Sequence, residues 1–366
     1  MTLSLYVARR FLVAFLLVMA GFACIQMLLD LVEELHRASG TAISFAQAAQ
    51  LAALNTPDGL YRILPLITIL ATLILFLGLA RSSELVVIRA AGRSGLRTLA
   101  APVTTALLIG ITGVAVMNPL VAASTNAYEA LSSHYALGGP ESVLSVTREG
   151  FWLRQASADG QTVIRAEHAS ADGTKLTNAS FISLNAQGAP QRRIEARTAV
   201  LDPGAWELTD AKVWQLAKTT NPELTAKTAK TMRLPSELTR SQIRDSFGNP
   251  RQIPIWQLPE FIARLRQAGF SARDYRVWFE MEMAMPFMLA GMVLIGAGFT
   301  MRHVRFGHTG LMVLFALISG FSVYFLRNFA QALGNGGQIP VELAAWGPPL
   351  IAILLSLGLL LHLEDG

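Results

Sequence analysis

The sequence is poor in the residues that do chemistry. It holds one cysteine, Cys24, in 366 residues, which excludes an internal disulfide framework and any paired-cysteine metal or redox centre. Its six histidines show no H-E-x-x-H spacing, so a zinc hydrolase has no signature here. No Gly-Lys dipeptide occurs. Without one, the phosphate-cradling loop G-x-x-x-x-G-K-[ST] of an ATPase cannot be built. G-x-S-x-G is absent too, and no nucleophile–base pair stands out, so no catalytic residue, metal ligand or cofactor is assigned to the chain. Charge is also scarce: Asp, Glu, Lys and Arg together make up 15%. A net charge of +5 and a pI near 9.6 could suggest nucleic acid, but no basic run is interleaved with aromatics as such a surface needs.

What is abundant is apolar sequence. Hydrophobic residues make up 52% and mean hydropathy is +0.42, which points to an integral membrane protein. A membrane span needs about 20 apolar residues. Six stretches qualify, near 11–29, 63–80, 98–121, 283–301, 309–326 and 343–363. They fall into two groups of three around a long polar region. The opening MTLSLYVARRFLVAFLL has a twin-arginine start like a signal peptide. Its apolar run is long enough for a full span and no A-x-A site follows, so an uncleaved transmembrane helix is expected.

Arginines set the orientation, since short cytoplasmic loops collect them. Arg9 and Arg10 precede the first span. Arg81, Arg89, Arg93 and Arg97 lie between the second and third, and Arg302 and Arg305 between the fourth and fifth. The opposite loops carry Asp30, Glu33, Glu34, Asp58 and Glu342 against Arg37, Arg62 and Arg327. Both termini are therefore expected in the cytoplasm and the polar middle region outside, in the periplasm of a Gram-negative cell.

That middle region reads as β. Strands are expected at 151–154, 162–167, 180–184, 193–201, 205–208 and 211–216, with turn signals such as Ala171-Asp172-Gly173 and Asp202-Pro203-Gly204 between them. Evenly spaced short strands suggest a sandwich or jelly roll. In 193–201 the alternation places Ile194, Ala196, Thr198 and Val200 on one face. Trp152, Trp206 and Trp214 are expected in the domain core. Residues 218–240, rich in Lys, Thr and Pro, read as a longer excursion. A helix from Pro259 to Gly269 then leads back to the fourth span.

Between spans two and three stands "ARSSELVVIRAAGRSG". Ser82 and Ser83 are capping residues and Gly92 or Gly95 a stop, so a short charged helix over about 82–92 is expected. At 1.5 Å per residue it is a rod about 15 Å long. Leu85 and Ile88 can bury, and Glu84 and Arg89 can pair across a contact. Such a rod suits the seating of a permease on a separate ATPase. An interfacial loop helix that only obeys the arginine rule fits the same residues.

The family resemblance rests on four stretches. "RSSELVVIRAAGRS", preceded by "ILPLITILATLILFLGLA", closely resembles the lipopolysaccharide-export permease family LptF/LptG. "LPEFIARLRQAGFSARDYRVWFEMEMAMPFMLAGMVLIGAGF", "QALGNGGQIPVELAAWGPPLIAILL" and "LVEELHRASG" resemble the LptG branch of that family. The resemblance implies a membrane α-helical fold with an inserted all-β domain: six transmembrane helices, three on each side of a periplasmic β-jelly-roll-like domain. Boundaries follow at 1–125 for spans one to three, 126–250 for the β domain, 251–275 for a connecting helix and 276–366 for spans four to six. It implies a non-catalytic subunit of an ABC transporter in the bacterial inner membrane, which extracts lipopolysaccharide and passes it toward the outer membrane. The partners implied are an LptB-like ATPase dimer, which holds the ATP, an LptF-like permease and an LptC-like periplasmic protein; no nucleic acid is implied.

Residue by residue, Glu84, Leu85, Ile88 and Arg89 fall on the family's ATPase-coupling helix. His36 and Arg37, after the first span, fall where the family places basic residues that meet lipid phosphates, and Arg62 is a further basic candidate. An interfacial anchoring role fits His36 and Arg37 equally. Asp30 stands where a lysine is expected. Ile194, Ala196, Thr198 and Val200 would line the acyl path. Glu280, Glu282, Arg327 and Gln331, at span ends, read either as interface residues or as a polar network at a cavity mouth. The alternatives are the LptF paralogue, a mechanotransmitting membrane subunit that moves no substrate through its membrane domain, and a membrane-anchored scaffold with no ATPase.

Overall fold

The computed structural model describes residues 2–37, 44–90, 94–135, 144–147, 150–157, 160–170, 173–185, 187–217, 221–236, 238, 249–267, 271–301 and 309–364. The chain forms two units. One comprises Met1–Leu137, Arg251–Trp256 and Arg273–Gly366; the other comprises Gly138–Pro250 and Gln257–Ala272.

The first unit is helical. It contains α1 (Thr2–Arg37), α2 (Phe45–Arg62), α3 (Leu64–Arg81), α4 (Glu84–Ala90), α5 (Gly95–Thr112), a π-helical turn (Gly113–Met117) and α6 (Asn118–Tyr135). In the second unit, α7 (Leu258–Gln267) follows the strands. The first unit resumes with α8 (Arg273–Thr300), α9 (Thr309–Asn335) and α10 (Val341–Glu364). Among the described residues six helical stretches are long and apolar enough to cross a membrane: α1, α3, the continuous α5–π–α6 rod, α8, α9 and α10. They stand three before the β unit and three after it, as the apolar runs predict.

Burial ranks these spans. The apolar stretch of α8 is 83% buried, against 11% for α1 and 17% for α9, so α8 is the central pillar. Small residues let its neighbours approach. A Cβ on Gly110 of α5 would lie 2.5 Å from Cα of Pro286, and one on Gly320 of α9 would lie 2.5 Å from Cδ1 of Ile69. Ile69, Met288, Met292, Ile295, Val323 and Ala352 pack into one core from α3, α8, α9 and α10.

Helix α2 is not among the expected elements; Asp58 within it is expected in a loop between spans, and Pro57 and Gly59 beside it are poor helix formers. Its start is nevertheless written in the sequence. Ser44 and Gln47 form a capping box, each side chain bonding the other's backbone N–H. The short helix between spans two and three begins at Glu84, two residues later than expected. Ser82 closes α3 rather than opening α4, and Ser83 turns the chain with φ 57°.

Among the described residues the second unit holds seven strands in one antiparallel sheet: β1 (Leu144–Thr147), β2 (Gly150–Ser157), β3 (Gly160–Ala169), β4 (Lys175–Asn185), β5 (Pro190–Asp202), β6 (Ala205–Gln215) and β7 (Lys227–Pro235). Strand order follows chain order throughout, so the even spacing builds a meander rather than two Greek-key sheets. The connections from β1 to β6 are short enough for hairpins, while a longer link with a 3-10 turn at Pro222–Thr225 joins β6 to β7; Gly173, Gly188 and Gly204 supply the positive φ at three of the short ones. Three strands differ from expectation. β1 is not among the expected runs. The runs 205–208 and 211–216 are one strand, and β7 runs through the Lys/Thr-rich excursion. Its charged pattern suits an edge, where lysine discourages further pairing.

A row of irregularities crosses the sheet. Pairing steps from Ala179↔Ala196 to Thr177↔Thr198, and from Ala196↔Ala211 to Thr198↔Thr209, passing over Asn178, Arg197 and Asp210. Asn178 and Asp210 adopt φ 52° and 51°, a conformation Asn and Asp tolerate best after glycine. Alternation slips by one residue there. Ile194 and Ala196 are buried before the row, and Ala199 and Leu201 after it. The expectation that Ile194, Ala196, Thr198 and Val200 share a face therefore holds only for the first two. Val200 is 39% exposed and Thr198 half-buried.

Candidate functional site

Three places in the helical unit gather the residues that the sequence singles out, and one in the β unit. The first is α4. Its carboxylate, Glu84, is held by its own chain. Arg10 Nη1 donates to Oε1 and Oε2 at 2.7 and 2.9 Å, Tyr6 Oη donates to Oε2 at 2.9 Å, and Ser82 Oγ donates to Oε1 at 2.7 Å. The Ser82 hydroxyl first, and Arg10 next, hold this carboxyl below its ordinary range. The helix is thus tied to the start of α1. Leu85 and Ile88 are buried in the protein's own interior, while Val86 and Val87 are 54% and 67% exposed. The apolar surface that α4 offers outward is the valine pair. The side chain of Arg89 lies outside the described residues.

The second place is the C-terminal end of α1. Arg37 pairs with Glu33, lies 3.5 Å from Glu34 and donates to Tyr128 Oη at 3.0 Å; Tyr128 in turn donates to Glu34 at 2.7 Å. Arg62 pairs with Asp58 one helical turn away. His36 is exposed. Asp30, standing where a lysine is expected, is 4% exposed and accepts from Gln26, Asn55 and Thr56 at 3.0, 3.0 and 3.3 Å. It joins α1 to α2. Arg37 and Arg62 each have acidic partners within the chain.

The third place is a buried polar cluster around Glu282 of α8, which is 0% exposed. Tyr61 Oη of α2 donates to Glu282 Oε2, and Asn118 Nδ2 of α6 donates to the same oxygen at 3.3 Å. Arg327 of α9, 8% exposed, and Arg251 both contribute favourable charge. Glu282 Oε1 is buried without a hydrogen-bond partner among the described residues. Arg251 also sits 3.6 Å from Asp58 and stacks 5.0 Å from the Trp278 ring centroid. Glu282 and Arg327 are thus a network rather than separate interface residues. Glu280, by contrast, accepts from Trp346 Nε1 at 3.1 Å and lies outside it. Sequence reasoning missed Tyr61, Asn118 and Arg251. The Asn118-Pro119 pair inside an apolar run was the available signal, since a proline there removes a helix donor and asks what replaces it.

In the β unit the exposed face is aromatic and charged. Trp206 is in the core at 0% exposure, but Trp152 and Trp214 are not. Arg165 stacks 5.4 Å from the Trp152 centroid, and Lys212 4.9 Å from that of Trp214. Along the irregular row lies a concavity of about 590 Å³, whose lining includes Trp152, Arg165, Arg193, Arg197 and Lys212. Among the described residues no cluster of His, Cys, Asp and Glu suited to a metal occurs.

Comparison with known proteins decides the family. The family described as lipopolysaccharide export system permease LptF/LptG matches residues 5–362. The chain belongs to the LptF/LptG family. It is 23% identical over 374 residues to the lipopolysaccharide export system permease protein LptG of Escherichia coli (strain K12), covering 98% of each chain. It is likewise 23% identical over 370 residues to LptG of Haemophilus influenzae, covering 100% of this chain and 99% of that one. As an LptF/LptG permease it is a multi-pass inner-membrane protein of the lipopolysaccharide export system, with an inserted β domain and no catalytic role of its own.

Proposed function

We propose that the chain is the LptG-like permease of its transporter, paired with an LptF-like subunit and seated on an LptB-like ATPase dimer that binds the ATP. The observation that carries this reading is α4: a short helix between two spans, clasped at Glu84 and offering Val86 and Val87 outward. A helix so tied moves as one piece with α1 and α3, which is what a coupling element must do. In this reading Leu85 and Ile88 hold α4 to its own chain, Val86 and Val87 meet the ATPase, and Glu84 and Arg89 flank the contact. Two relatives named LptG, each aligned over nearly the whole chain, favour the LptG branch.

The cargo is an acylated lipid, and each methylene moved from lipid to water costs about 0.8 kcal/mol. The acyl chains must stay covered, first between spans and then along the buried face of the β domain near Ala196. From there they pass to an LptC-like protein. Arg37 and Arg62 meet lipid phosphates only by exchanging their carboxylate partners, so the partner permease supplies part of that charge. Both termini and α4 are cytoplasmic and the β domain is periplasmic. The test is co-purification. The chain should bring down an ATPase and a second six-span protein, and the complex should release lipopolysaccharide from proteoliposomes when ATP is added. A chain that purifies alone, or a complex with ATPase activity and no lipid release, overturns the proposal.

A further inference from the structure

The segment 251–256 belongs to the helical unit, while the residues on both sides of it, up to Pro250 and from Gln257, belong to the β unit. Six residues of strap are therefore held by the membrane helices in the middle of chain that is otherwise β domain. The strap is tied along one rod. Asn126 Nδ2 of α6 donates to the Gln252 carbonyl at 2.9 Å. The Ile255 N–H donates to Asn118 Oδ1 at 2.9 Å, and the Ile255 side chain is 1% exposed. Trp256 Nε1 donates to the Ala115 carbonyl at 3.3 Å.

The local sequence explains why the rod can accept these bonds. In an α-helix the Ala115 carbonyl would bond the N–H of residue 119, but residue 119 is proline and has none. The turn relaxes to a π-helix over Gly113–Met117, in which the Asn118 N–H reaches back to Gly113. Single π turns are frequent at functional sites because they free backbone groups and re-aim side chains. Here the freed carbonyl takes the Trp256 indole. Asn118 divides its amide between the strap and the membrane core: the oxygen takes Ile255, and the nitrogen gives to Glu282 of α8 at 3.3 Å.

We propose that Asn118 is a positioning residue for transport, latching the 251–256 strap to the π-helical turn and to Glu282 so that movement of the membrane helices is delivered to the β domain through the chain itself. A rod that bends at its π turn, or a pillar α8 that shifts, must then pull on the strap. Trp256 is the outer half of the latch: it is 69% exposed, and its contribution is the indole hydrogen bond. This inference rests on the permease reading above.

The experiment uses the complete transporter in proteoliposomes and reads lipopolysaccharide released per ATP hydrolysed. Asn118→Leu should lower that ratio by at least about fivefold, the low end of ordinary coupling energies, with ATP hydrolysis largely kept. Trp256→Phe, at an exposed position, should lower it in the same direction without affecting assembly. Asn118→Asp sets a second carboxylate against Glu282 and should also uncouple. Adding Glu282→Gln to it exchanges amide and acid, restores both hydrogen bonds, and should restore the ratio. Hydrogen exchange of the Ile255 amide gives a readout that needs no lipid, and Asn118→Leu should speed it. If the wild-type complex releases lipid and Asn118→Leu and Trp256→Phe release as much per ATP, the latch is refuted and the permease reading stands. If release and hydrolysis fall together in every variant, including the amide–acid exchange, Asn118 is merely structural and the inference fails. A wild-type complex that moves no lipid overturns the permease reading instead.

Discussion

Replacing Glu282 tests whether the buried cluster is an integrated unit. Glu282→Leu removes the acceptor of Tyr61 and of Asn118 and takes away the negative charge that acts on the guanidinium of Arg327, 8% exposed. Leaving a buried charge uncompensated costs up to about 3–5 kcal/mol, because that charge stays desolvated. Glu282→Gln keeps an oxygen for Tyr61 and changes little volume. Its cost should stay near the ~1–3 kcal/mol of one compromised buried hydrogen bond. Adding Arg327→Leu to Glu282→Leu removes the orphaned charge and should recover part of the loss, but not all, since the Tyr61 hydroxyl and Asn118 amide still lack an acceptor. Unfolding of the purified protein in mixed micelles of mild detergent and dodecyl sulfate, followed by far-UV circular dichroism, gives the ranking. The expected order is wild type, Glu282→Gln, the double variant, then Glu282→Leu. A Glu282→Leu protein as stable as Glu282→Gln would refute the reasoning, as would a double variant whose loss equals the sum of two independent single losses.

Three further outcomes are expected. Glu84→Ala should leave insertion intact and change stability by no more than about 1 kcal/mol, as an exposed pair allows, yet weaken ATPase retention or uncouple hydrolysis from lipid release; wild-type behaviour in both assays would count against α4 as the coupling element. Because the Glu84 carboxyl is held below its ordinary value of 4.5, the clasp to Arg10 should be complete above that pH and lost as pH falls through the lowered value; hydrogen exchange in α4 that already rises between about pH 7 and about pH 5 would contradict this sign. Cysteines at Ser94 and Gln187, in a Cys24→Ser background, should label from opposite sides of the inner membrane, and periplasmic labelling at Ser94 would reverse the orientation.

Much of the helical unit is legible in the sequence because its signal is long and uniform. Six apolar stretches become six span-length helices, and the arrangement around a β insert follows from where they lie. What was lost is what apolarity does not encode. Helix α2 carries Pro57 and Asp58 and looks like a loop, yet it supplies Tyr61 and Asp58 to the buried cluster. Glu282 and Arg327 are visible as charges at span ends, but whether they face one cluster depends on rotation about the helix axis. That rotation is set by close approaches such as Gly110 on Pro286. The fate of Glu84 was hidden for the same reason: nothing in "SSELVV" tells that Arg10 and Tyr6, more than seventy residues upstream, will meet its carboxylate.

The β domain shows the opposite balance. Turns and strands were mostly readable, because Gly173, Gly188 and Gly204 mark hairpins and period-two alternation marks β5. The slip in that alternation was not. Counting by twos from Ile194 leads to Val200, and the protein instead buries Ala199 and Leu201. The cause lies on neighbouring strands, where Asn178 and Asp210 take positive φ opposite Arg197. One strand alone carries no trace of this, since Arg197 is simply another exposed charge; three strands together show a polar residue at the same level in each. The consequence bears on where lipid can run. A conduit along the buried face passes Ala196 and then Ala199, not Thr198 and Val200. A photo-crosslinker at Ala196 or Ala199 should therefore capture lipopolysaccharide during ATP-driven transport, while one at Val200 should not. Overpacking a closed core costs about 1–3 kcal/mol, so a packed interior would answer the same probes with lost stability and no adduct. Adducts at Val200 and none at well-folded Ala196 or Ala199 variants would place the path on the other face of the sheet, where Val200 is exposed.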